Sequence, residues 1–163
     1  MTNSVPKIII LGIGNILLKD EGVGVRVVEK LKSDFKFPSN IELIDGGTAG
    51  FGLIDLLEGA EHLIILDAVQ GNDEPGSIYR FKFEDMPPNI SKKFSPHQIG
   101  IIETLTLKKM LGKIPDTTII AIQPKDCINW GTELTPEIEN KIPNIVNLVI
   151  DELKNLGVNQ LCA

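Results

Sequence analysis

Cysteine is scarce: the 163 residues hold two, Cys127 and Cys162, far apart and with no CxxC pair. A disulfide scaffold and a thiolate-built structural zinc are therefore not expected, and the chain reads as a reduced, cytoplasmic protein. Histidine is equally sparse, with only His62 and His97. His62 opens an apolar run at the end opposite its acid, which leaves one imidazole for a site and excludes zinc centres of three histidines or of two histidines and a glutamate. Neither HExxH nor the GxSxG elbow occurs. Basic runs are missing too, and 16 Lys and Arg against 22 Asp and Glu give a formal charge of -6. That balance argues against nucleic acid or an anionic membrane as partner. No apolar stretch is long enough to span a bilayer, and MTNSVPK has neither the charged region nor the apolar core of a secretory signal.

What is present is ordinary for a globular chain: 42% hydrophobic and 23% charged residues. A chain this long can bury roughly 70% of its unfolded surface, so one domain over residues 1–163 is expected. The stretch GIGNILLKDEGVG, Gly12 to Gly24, organises it. Before it, the β-branched run from Lys7 to Leu11 reads as a strand buried on both faces. After it, Val23, Val27, Val28 and Leu31 recur at helical spacing, with Asp20 as a plausible N-cap and Glu21 in the first turn. A second strand, Ile41 to Ile44, runs into Asp45-Gly46-Gly47-Thr48-Ala49-Gly50, and Phe51 to Leu57 outlines a short helix. A third strand, His62 to Leu66, runs into Asp67.

Such alternation predicts an α/β fold: a single three-layer domain with a twisted, mostly parallel sheet and helices on both faces. With strand order starting 2-1-3, Glu21 and Asp67 should face each other at the switch point. Tyr79, Phe81 and Phe83 alternate with Arg80 and Lys82, as on an edge strand. Glu84 to Phe94 reads as an irregular loop. Ser95-Pro96-His97-Gln98 fits a helix start, with Ser95 as N-cap and Gln98 completing a capping box, and the helix runs to about Leu111. Thr117 to Ile122 is a further strand, and Thr135 to Leu156 a helix that Pro143 should kink or divide.

Gly12-Ile13-Gly14 after a buried strand suggests a nucleotide loop, but Leu17 stands where the third glycine belongs. Asp20 and Glu21 would also oppose a phosphate at that helix start. Glu21 has an ordinary reading, a first-turn acid on the helix dipole worth roughly 0.3 to 1 kcal/mol. Asp67, directly after a buried run, is a cap or turn acid or else needs a partner or a metal. His97 is a surface histidine or a neutral imidazole suited to a metal. Cys127 has no nucleophile signature and reads as structural. One imidazole and two carboxylates on three loops would leave coordination positions open and hold a resident metal only moderately.

GNILLKDEGVG at Gly14 to Gly24, DGGTAG at Asp45 to Gly50, ILDAV at Ile65 to Val69 and SPHQIG at Ser95 to Gly100 occur in this order within Lys7 to Gln123. In these segments the chain resembles the endopeptidases that mature nickel-iron hydrogenases by clipping the C-terminus of the large-subunit precursor. The resemblance implies a twisted sheet between helix layers and places Glu21, Asp67 and His97 at metal-binding positions. Asp45 matches a further acid important in that family, so Asp45, Glu21 and Asp67 are the candidate catalytic residues. It also implies that nickel arrives in the substrate, where it serves recognition, catalysis or both. The partners so implied are the precursor and its C-terminal peptide, and a monomer is expected. The DGGTAG loop could supply backbone donors to an extended peptide, and the Glu84 to Phe94 loop could touch the precursor. A nickel-binding chaperone that cuts nothing, and a nucleotide-binding domain, are the competing readings.

Overall fold

The computed structural model describes residues 5–91, 99–159 and 161. Its first strand is β1 (Ile8–Ile13), every residue of which is buried, as the unbroken apolar run requires. β1 pairs in parallel with β2 (Ile41–Gly47) on one side and with β3 (His62–Ala68) on the other. β3 pairs in parallel with β5 (Asp116–Ile122), and β4 (Ile78–Lys82) runs antiparallel along the outer edge of β5. The resulting order, β2-β1-β3-β5-β4, contains the expected 2-1-3 switch and the expected edge strand.

Alternation along β1 divides the core. Ile8 and Ile10 pack with α1 (Val23–Asp34) and α5 (Ile142–Asn155), through Val27, Leu31, Ile145 and Val149. Ile9 and Leu11 pack on the opposite face with Leu53, Leu57 and, from α3 (Ile99–Leu111), Ile101 and Leu105. Right-handed crossovers explain the split, since the chain leaves β1 towards β2 in one direction and returns past it to β3 in the other. Each fully buried Ile or Leu contributes about 1.5–3 kcal/mol relative to exposure.

Several boundaries differ from the sequence reading. Phe51 to Leu57 forms two 3-10 turns, Gly50–Leu53 and Asp55–Leu57, in place of one helix. Phe83, read with the edge strand, opens a 3-10 turn at Phe83–Asp85, and the Glu84 to Phe94 loop, read as irregular, contains the short α2 (Pro88–Ser91) in its described part. The last helical stretch is divided as Pro143 predicts: α4 (Pro136–Glu139) stops, and α5 restarts with Pro143 in its first turn, where a missing N–H is harmless. Ser95, Pro96, His97 and Gln98 lie outside the described residues.

Candidate active site at the carboxyl edge of β1 and β3

Three close backbone approaches shape the corner. A Cβ on Gly12 would lie 2.4 Å from the Gly24 carbonyl oxygen, and one on Gly24 would lie 2.1 Å from that of Leu66. The first turn of α1 is thus pressed onto the ends of β1 and β3, which only glycine permits. Gly14 has φ +133, and a Cβ there would sit 1.7 Å from the Glu21 carbonyl oxygen. The loop folds back on itself at that point, and the 3-10 turn Lys19–Gly22 carries Glu21 inward.

Glu21 and Asp67 are each 2% exposed. Asp67 lies inside β3, one residue before its end, and not after it as the sequence suggested. There it alternates onto the face of Leu63 and Ile65, the face that packs on α3. Its Oδ1 accepts a hydrogen bond from the Ala68 N–H at 2.8 Å.

The acid next door has a different task. Asp20 is fully buried, and its carboxylate accepts hydrogen bonds from the N–H groups of Lys125, Asp126 and Thr135 at 3.0, 2.9 and 2.7 Å. The Thr135 hydroxyl adds another at 2.8 Å. The expected N-cap role is therefore corrected: Gly22 occupies that position without a side-chain bond, and Asp20 fastens the 125–135 segment to the Gly14–Gly24 loop. Lys19 N–H to the Gly131 carbonyl and Gly131 N–H to the Leu17 carbonyl, both 2.9 Å, complete the fastening.

That segment brings in Cys127, which sequence reasoning set aside. Its thiol is pushed from 9.0 up to about 12, first by burial and then by the carboxylates of Glu21, Asp20, Asp126 and Asp67. One thiol feels both Glu21 and Asp67, so loops 46 residues apart in sequence meet at this corner. The signal that could have found it is topological: Pro124 to Gly131 follows β5, the neighbour of β3, and so emerges at the same edge.

Asp45 stands apart from this pair. It pairs with Gly12 from the β2 side, while Leu66 pairs with Gly12 from the β3 side. Strand spacing alone separates the backbones of Asp45 and Asp67 by about 10 Å. Asp45 is exposed, accepts the Gly47 N–H at 3.0 Å, and lines a groove of about 290 Å³ with Gly14, Asn15, Ile16, Leu17 and Thr48. The structure thus gathers Glu21 and Asp67, sets Asp45 in an adjoining groove, and leaves His97 outside the described residues. Among the described residues no three His, Cys, Asp or Glu side chains form a group able to hold a metal ion. Two buried carboxylates are a hard, anionic and incomplete donor set, fitting a cation that brings ligands of its own.

Residues 25–152 match the family model described as hydrogenase maturation protease. The Escherichia coli hydrogenase 2 maturation protease is 36% identical over 157 residues, covering 95% of each chain. The hydrogenase expression/formation protein HupD of Thiocapsa roseopersicina is 39% identical over 94% of this chain and 70% of its own. The structure of the hydrogenase maturating endopeptidase HybD from Escherichia coli superposes with a TM-score of 0.86 at 35% identity, covering 93% of this chain and 94% of that one. With the family match, the fold and sequence identity over nearly the whole length in agreement, this chain belongs to the hydrogenase maturation protease family, whose members are endopeptidases.

Proposed function

We infer that this endopeptidase removes the C-terminal extension of a nickel-loaded [NiFe]-hydrogenase large-subunit precursor, with Glu21, Asp67 and His97 engaging the nickel that the substrate carries. The observation that carries the reading is the burial of Glu21 and Asp67 at one corner, where both act on Cys127. Two buried carboxylates at one corner are hard anionic donors, and nickel delivered within the precursor brings its remaining ligands with it, so no resident site is needed. Docking of the metal fixes the scissile peptide beside the corner, converting recognition into positioning.

A bound divalent ion polarises a carbonyl or lowers the pKa of a coordinated water from about 15.7 towards 7. The chain's own contribution to water activation is assigned to Asp45, which is solvent-accessible and faces the groove beside Gly14 and Gly47. Asp45 takes a proton as water attacks the scissile carbonyl carbon. The carbon–nitrogen bond then breaks, and the departing amine takes the proton. Glycines along the DGGTAG loop leave room for the peptide backbone at that groove.

The test is to incubate the purified protein with nickel-loaded and nickel-free precursor and weigh the product. Loss of the tail from the loaded form alone is expected, with no cleavage by Glu21→Ala, Asp67→Ala or His97→Ala variants that melt normally. Unimpaired cleavage by all three overturns the site. A precursor that stays intact with the native enzyme, while its nickel is bound, would favour an escort role.

A further inference from the structure

We propose that Ile128 and Trp130, together with Ile16 and Leu17, form the surface on which an apolar segment of the precursor docks while its tail is cut; this rests on the substrate reading above. Trp130 is 77% exposed and Ile128 86%, with Leu17 at 47% and Ile16 at 37%. They sit on two segments joined by paired backbone hydrogen bonds, Gly131 N–H to Leu17 and Lys19 N–H to Gly131, so they form one rim. Together they expose on the order of 400 Å² of largely apolar area, the size of the largest, often functional, patch on a soluble monomer.

The location selects the occupant. Ile128 follows Cys127, whose thiol feels Glu21 and Asp67, while Ile16 and Leu17 line the groove that contains Asp45. The patch thus borders both the buried pair and the Asp45 groove, so it continues the substrate site and its partner is the cleaved protein itself.

The rim is also rigid. Asp126 accepts hydrogen bonds from the N–H groups of Ile128 and Asn129, both at 3.1 Å, and from Lys19 Nζ at 2.9 Å. Those bonds hold its carboxyl well below the usual range, led by the Asn129 side chain. Asp20 anchors the same turn from beneath. A large aromatic presented on a loop ordered in advance loses little freedom on binding, the property of an interface anchor.

The test compares native enzyme with Trp130→Ser and the double variant Ile128→Ser/Trp130→Ser on nickel-loaded precursor. KM should rise about tenfold for the single change and more for the double, with kcat within twofold and melting unchanged. Trp130 is the sole tryptophan, so 5-fluorotryptophan gives one ¹⁹F resonance, which should shift on adding precursor to the Asp45→Asn enzyme, slowed in cleavage but with its nickel-engaging residues intact. If the native enzyme cuts but the double variant keeps its KM and the resonance stays still, the docking surface is wrong and the function stands. If the native enzyme cuts no precursor, the functional reading fails first. A concentration-dependent dimer that the double variant abolishes would assign the patch to a second copy and overturn the proposal.

Discussion

Glu152 on α5 and the pair Glu21 and Asp67 at the carboxyl edge are all buried acids set among different elements. Around Glu152, Arg80 pairs with one carboxylate oxygen, while the Thr118 hydroxyl donates to the other at 2.8 Å and Lys82 Nζ lies 3.7 Å away. That charge is balanced by groups from β4 and β5, and its job is to tie the edge of the sheet to the last helix. At the Glu21 corner the charges acting on Cys127 among the described residues are those of Glu21, Asp20, Asp126 and Asp67, all negative. Acids from separate segments gather there around one thiol, a clustering that occurs at functional sites and in structural networks alike.

The contrast breaks most sharply under substitution. Glu21→Ala and Asp67→Ala should each cut processing by about 10³-fold or more, beyond the 10–100-fold typical of outer-shell changes at a metal centre. Glu152→Ala should leave the rate within twofold when both are assayed well below the melting point. Single-turnover cleavage of nickel-loaded precursor measures both, and comparable losses at the two corners would erase the distinction.

Next comes the backbone that holds the Glu21 corner together. Gly14→Ala places a methyl 1.7 Å from the Glu21 carbonyl at φ +133, so the loop has to open and carry Glu21 with it. Processing should fall by about 10²-fold, the loss expected when a group at the chemistry moves by about 1 Å. Gly52→Ala meets nothing within 4 Å and should be silent, which makes it the matched control.

Those two corners also differ in how much of them the sequence reveals. The apolar runs of β1, β3 and β5 and the valines of α1 carry the sheet order, because a fully buried parallel strand has no other composition available to it. Glu21 and Asp67 are legible for the same reason: they interrupt or end apolar runs at the sheet edge where α/β sites lie. Asp20 was not legible as a clamp, since its donors come from residues 125–135, over a hundred positions away. The acidic surroundings of Cys127 were not legible because they arise from tertiary placement and leave no local pattern. Glu152 had no sequence signal either, as its cations come from another element.

The balanced corner should show its value in stability. Glu152→Ala leaves Arg80 and Lys82 partly hydrated but deprives the buried Thr118 hydroxyl of its acceptor, costing about 2 kcal/mol. A domain of this size should then melt roughly 4–8 °C lower. Glu152→Gln keeps an acceptor for Thr118 and should lose less, so equal losses would show that the ion pair dominates.

The smallest effect reads the electrostatics of the Glu21 corner directly. Folding raises the Cys127 thiol from 9.0 to about 12, so stability drawn from this group is whole below pH 9 and drains away as pH climbs towards 12. In a Cys162→Ser background, iodoacetamide at pH 9 should alkylate the native chain about 10²-fold or more slowly than the denatured one, since only thiolate reacts. Glu21→Gln removes the foremost of the acids while leaving burial intact, so labelling should quicken several-fold; Glu152→Gln, at the balanced corner, should change nothing. Mass spectrometry over time separates the two. Were Glu21→Gln also without effect, the carboxylate would lie outside reach of Cys127, and the corner would lose the cue that joins its loops.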